Sequence, residues 1–104
     1  MDIVKMTFVF SDEKARARGT SAQACYDVVD ELFARYGIEP AAQGVYEAPD
    51  DQNTFTAFAV AHKLPYTDWF LPVIETWRAY EDEAHPDEFE DCLALYYAYA
   101  ERNA

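Results

Sequence analysis

Large apolar side chains fall on every second residue at Val4, Met6, Phe8 and Phe10, with Lys5 and Thr7 between them. A period of two is what a pleated strand imposes, so this stretch predicts a strand buried on at least one side. From Cys25 the period changes. Cys25, Val28, Val29, Leu32, Phe33 and Tyr36 recur at steps of three and four, which makes one apolar stripe along a helix. Thr20 or Ser21 supplies the capping hydroxyl and Gln23 completes a capping box. Gly37 ends the helix, because glycine takes the left-handed cap without steric cost. The basic run "KARAR", Lys14 to Arg18, reads as a solvated connector between the two elements.

Further along, "QGVYEA" and "TFTAFAVAHK" read as two strands joined by "PDDQN", a connector of hairpin length. In the second of them Phe55, Ala57, Ala59 and Ala61 share one face, and Thr56, Phe58, Val60 and His62 the other. After a short turn over 67–70, a helix is predicted from about Leu71 to about Asp82, since Pro72 is tolerated only in a first turn. A last helix is expected from Pro86, with a stripe of Phe89, Cys92, Leu93, Tyr96, Tyr99 and Ala100. The order is β-α-β-β-α-α. It predicts a single α+β domain over residues 1–104, built on a small three-stranded sheet with helices packed on one face. The sheet is expected to be antiparallel, with the first strand beside the third, as in half of a ferredoxin-like unit. The alternative is a parallel pairing of strands one and two through a right-handed crossover.

Composition narrows the class. With 51% apolar and 16% aromatic residues the chain has material for a core, which excludes disorder. No apolar run approaches the roughly 18–20 residues of a membrane span, and Asp2 stands where a signal peptide would carry a base. A cytoplasmic protein is expected. Cys25 and Cys92 form no CxxC pair and both fall on apolar stripes, which predicts buried, reduced thiols.

Charge changes the picture most. Of the formal net charge of −12, residues 41–104 carry thirteen acids and only three bases. Phosphate neutralisation needs clustered Lys and Arg, so direct nucleic-acid binding is excluded. The densest stretch is "EDEAHPDEFED", residues 81–91, with seven carboxylates. Asp87 and Glu88 fall in the first turn of the predicted last helix, where negative charge complements the dipole. Glu81, Asp82 and Glu83 crowd the C-terminal end of the preceding predicted helix, where the dipole opposes them and Arg78 only partly offsets the cost. Local stability does not account for the whole cluster, which leaves two readings, a solvated surface and a negative face for a basic partner.

Catalytic chemistry finds no foothold. His62 and His85 stand in no HxH or HxxxH pair, and GxGxxG, P-loop and GxSxG patterns are all missing. "DDQN" lacks the glycine and the ligand ladder of a calcium loop. No catalytic residue, metal or cofactor is expected. Tyr97 lies off its helix's stripe and Trp69 falls in an irregular segment, and these two are the expected aromatic anchors of an interface. The predicted partner-binding set is Glu81, Asp82, Glu83, Glu90, Asp91, Trp69 and Tyr97. The expectation is a non-enzymatic acidic interaction protein, monomer or homodimer. It would inhibit by occupying a basic, nucleic-acid-binding surface of a partner, in the manner of anti-CRISPR, antirestriction or immunity proteins. Two alternatives stand beside it: a small-molecule-binding or catalytic dimer on a ferredoxin-like half, and a subunit of a larger cytoplasmic assembly.

Overall fold

A computed structural model of the chain describes residues 2–82 and 84–102. The alternating N-terminal stretch forms β1 (Ile3–Phe10), which buries Met6, Phe8 and Phe10. The capped stripe forms α2 (Ala22–Ala34), with Ser21 Oγ accepting from the Ala24 N–H at 3.1 Å. Between them "KARAR" is part of a helix and not a connector: α1 (Asp12–Ala17) is capped by Ser11 and buries Ala15.

The sheet has five strands, which overturns the three-stranded expectation. Its order is β2 (Pro40–Ala42), β3 (Val45–Pro49), β1, β4 (Ile74–Tyr80) and β5 (Glu90–Asp91). Every neighbouring pair is antiparallel, and β1 is central, between β3 and β4. Helices α2 and α3 (Gln52–Ala61) cover the face that carries Met6, Phe8, Tyr46 and Trp77. The core between the layers is aromatic: the Phe8 ring meets those of Phe33, Tyr46, Phe70 and Trp77. The final helix, α4 (Cys92–Arg102), packs on β4 and buries only Cys92 completely.

Two elements exchange type relative to expectation, and each has a physical cause. "TFTAFAVAHK" is helix α3, because Asp51 Oδ1 accepts from the Thr54 N–H at 2.9 Å and caps it. The stretch "PDDQN" is therefore a helix start and not a hairpin turn. Thr54, Ala57 and Ala61 are the buried positions, at steps of three and four. Conversely, the predicted helix from Leu71 to Asp82 is strand β4. Its buried residues Ile74, Trp77 and Tyr80 recur every third position, which imitates a helical stripe. A β-bulge produces the first step: Val9 faces Thr76 but Phe10 faces Ile74, and the extra residue Glu75 keeps Ile74 on the face of Trp77. Tyr80 is buried on the opposite face, beside its partner Lys5 and beneath Phe89.

The last helix starts at Cys92 and not at Pro86, so Asp87 and Glu88 occupy a turn and serve no helix dipole. Asp91 is the capping residue, its Oδ1 accepting from the Ala94 N–H at 3.1 Å. The expected stripe is only partly buried, with Tyr99 at 56% exposure. No helix among the described residues is long and apolar enough to cross a membrane.

Candidate functional site

At the Tyr80 end of β4 the chain leaves the sheet through Glu81 and turns on Asp82, whose Oδ1 accepts from the Ala84 N–H at 2.9 Å. It returns as β5, pairing Glu90 with Ala79 and Asp91 with Arg78. Directly paired residues share a face. Glu90 therefore projects to the helix-covered side with Ala79 and Met6, and Asp91 to the other side with Arg78. The same end of the sheet holds the start of β1 and the end of β3, where the Asp50 N–H donates to the Asp2 carbonyl at 3.0 Å.

The result is a groove of about 580 Å³ whose rim carries Asp2, Asp50, Glu81, Asp82 and Glu90. Its floor is apolar, formed by Val4, Met6, Phe55 and Phe58, with His62 at one side. Phe55 is 68% exposed, which is unusual for a ring of that size. The only ion pairs among the described residues are Asp12–Arg16, Glu31–Arg35 and, when the histidine is protonated, Asp82–His85. Asp2, Asp50, Glu81 and Glu90 thus have no cationic partner there. The two nearby bases are engaged elsewhere: the Arg78 guanidinium lies 4.3 Å from the Phe89 ring centre and Lys5 Nζ 4.5 Å from that of Tyr80. Arg78 does not offset Glu81 or Asp82 as its sequence position suggests. A groove with unpaired carboxylates above an apolar floor suits a basic group on an aliphatic stem, as Lys and Arg present.

The predicted set is divided by the fold. Glu81, Asp82 and Glu90 come together on the groove. Asp91 is turned to the opposite face and caps α4. Glu83 lies outside the described residues. Trp69 is half-buried against Phe10 and Phe70 at the far end of β4, about 20 Å away at the rise of a strand. Tyr97 is exposed on α4, its ring 5.3 Å from that of Tyr96. Asp2 and Asp50 were missed because only the sheet order brings them to Glu81, and Phe55 because its segment, helix α3, reads as a strand. No local pattern signals that.

A second constellation was also missed. One ring nitrogen of His62, a Glu90 carboxylate oxygen and Cys92 Sγ lie within 4.8 Å of one another. His62 is the C-cap of α3, Glu90 belongs to β5 and Cys92 opens α4. Burial, aided by the charges of Glu90 and Asp91, pushes the Cys92 thiol up to about 12. Burial likewise raises that of Cys25. Neither thiol is a ready nucleophile at neutral pH. Of the described residues, only His62, Glu90 and Cys92 bring three His, Cys, Asp or Glu donors close enough to hold a metal ion. No protein-family model matches the chain, and no curated protein matches it.

Proposed function

We propose that the protein is a non-enzymatic interaction protein that seats its acidic groove on a basic, nucleic-acid-binding surface of a partner protein and inhibits by competing with nucleic acid. The observation that supports this is the convergence of Asp2, Asp50, Glu81, Asp82 and Glu90 from separate chain segments around one groove. Four of these carboxylates lack a cationic partner among the described residues. Unpaired like charges held together oppose folding, and their field attracts and orients a cationic surface. Phe55, exposed at the floor, supplies apolar contact once the charges have docked.

The test uses a partner captured from native cells. Asp2→Asn, Asp50→Asn and Glu81→Gln are combined in one variant, with Asp91 left alone because it caps α4. The association rate of the parent should fall steeply with salt and that of the variant little, since screened attraction is what the groove supplies. Duplex DNA should displace the parent from the partner. Unchanged affinity in the neutralised variant, or a partner indifferent to DNA, would defeat the proposal.

One observation favours a second reading, small-molecule binding. An aromatic cavity of about 320 Å³ lies between Trp77, Tyr66, Tyr96 and Tyr99, with Arg102 at its edge. The buried Trp77 Nε1 has no hydrogen-bond partner among the described residues. A ligand carrying an acceptor would satisfy it. Replacing Trp77 with Phe should abolish ligand-induced thermal stabilisation in a screen of small aromatic acids. A screen without any stabilising compound counts against this reading.

A further inference from the structure

We propose that His62, Glu90 and Cys92 form a binding site for a divalent transition-metal ion of the zinc class. The site shares Glu90 with the acidic groove but does not rest on the partner reading. Its donors are one imidazole, one carboxylate and one thiol, drawn from three elements and lying within 4.8 Å of one another. Nitrogen and sulfur donors together select zinc-like ions, whereas calcium and magnesium take oxygen alone.

The geometry needs little adjustment. Zn–S of about 2.3 Å and Zn–N or Zn–O of about 2.0–2.2 Å place tetrahedral ligands about 3.3–3.7 Å apart. The donors must therefore close by about 1.5 Å at most, relative to their 4.8 Å limit. Glu90 can supply that movement. Its side chain is exposed, and its carboxylate has no hydrogen-bond or ion-pair partner among the described residues. The other two donors are held in place, Cys92 by complete burial and His62 by its ring contact with Trp77 at 5.0 Å.

A backbone carbonyl holds one side of the imidazole. His62 Nδ1 lies 2.8 Å from the Phe58 carbonyl oxygen. A carbonyl only accepts, so Nδ1 is the donor to it, which leaves Nε2 as the nitrogen that can offer a lone pair to a metal when the ring is neutral. A backbone carbonyl that orients a histidine from behind in this way recurs at metal sites. Cys92 is a neutral thiol without metal. Coordination forms the metal–sulfur bond and releases the thiol proton to solvent, and the cation offsets the burial and the acidic neighbours that otherwise keep the proton on. Three protein donors leave a fourth position for water or for a donor from another molecule. The acidic groove, which reaches His62 and Glu90, is the entry path and concentrates cations there.

Bound metal would tie α4 to the C-terminal end of α3. Cys92 is the one fully buried residue of α4, and Leu95 and Tyr97 are about half exposed. A ligand that binds only the folded state stabilises it in proportion to its excess over Kd.

The experiment titrates the reduced, metal-free protein with Co²⁺ under argon. One equivalent should produce a thiolate-to-cobalt charge-transfer band in the near ultraviolet and tetrahedral d–d bands in the visible, both bleached by Zn²⁺. Cys92→Ala should lose the charge-transfer band and Cys25→Ala should keep it. His62→Gln should weaken Co²⁺ binding at least about 10-fold, the smaller end of what losing even a supporting partner costs. If Cys92→Ala fails to fold by circular dichroism, His62→Gln, at a part-exposed position, decides the matter alone. Absence of binding, binding without a thiolate band, or unchanged affinity in His62→Gln would overturn the site. The Asp2→Asn, Asp50→Asn, Glu81→Gln variant should keep the cobalt spectrum while losing the partner, so the two proposals fail separately.

Discussion

Gly44 holds the turn between β2 and β3 at φ +74°, and a Cβ added there would lie 2.3 Å from the Phe8 carbonyl oxygen and 2.8 Å from a ring carbon of Tyr26. Neither obstacle can step aside. Phe8 belongs to the central strand, and the Tyr26 hydroxyl accepts from the Phe10 N–H at 3.1 Å. In Gly44→Ala the turn must lift instead, which breaks the bond from the Phe8 N–H to the Gly44 carbonyl, now 2.8 Å. The left-handed conformation costs alanine about 1–2 kcal/mol. The orphaned, buried N–H costs about 1–3 kcal/mol more. The combined loss of about 2–5 kcal/mol is a large share of the roughly 5–15 kcal/mol that holds a domain together. A domain of this size should melt lower by about 8 °C or more. Gly19→Ala is the matched control. Gly19 has φ +78° but nothing within 4 Å of an added Cβ, so it should lose only the conformational part, about 1–2 kcal/mol. Urea unfolding of both variants, followed by near-ultraviolet circular dichroism, measures the difference. Equal losses would show that the close approach to Phe8 costs nothing and that the reasoning is wrong.

Three further expectations follow from neighbouring groups. Asp91→Ala should lose about 1 kcal/mol, because it removes the cap of α4, and should leave partner affinity unchanged. Glu90→Gln should do the reverse, and the opposite assignment in a thermal melt and a binding assay would contradict the division of β5 between two faces. Tyr46 is buried and donates to Asp30, and burial first, then Asp30, raises its phenol above the ordinary range. Its contribution is whole below the unfolded value of about 10 and is lost as pH rises beyond it, so Tyr46→Phe should flatten the alkaline fall in stability. An equally steep fall in that variant, from urea midpoints at rising pH, would rule Tyr46 out as its source. Cys25 and Cys92 are both buried and should react slowly with thiol reagents until denaturant is added.

The elements legible in the sequence are those whose signals are local. β1 shows an unbroken alternation, and α2 carries its own cap in Ser21. In α3 the alanines fit both periods, and the deciding feature, the Asp51 cap, lies inside a stretch that also reads as a turn. In β4 a bulge and a covering ring disguise a strand as a helix. β2 and β5 hold three and two residues, too few to show a period, and exist only because longer strands template them. The acidic stretch at 81–91 was visible from composition, and Glu81, Asp82 and Glu90 do meet at one groove. Its other contributors were not, since Asp2 and Asp50 reach it through the strand order. The triad of His62, Glu90 and Cys92 was hidden for a second reason: the sequence placed His62 on a strand, with its ring on no defined side of Cys92.

The central place of β1 carries a cost during synthesis. Met6 pairs with Tyr46 on one side and with Ala79 on the other, so the first strand made has to wait for the last long strand to be released. Until then Met6, Phe8 and Phe10 have one open edge and an incomplete aromatic cover, without Phe70 and Trp77. Pairings this distant fold slowly, because loop closure precedes any gain from contact. A nascent chain stalled before β4 would expose an apolar strand edge, the feature that recruits chaperones or seeds aggregates.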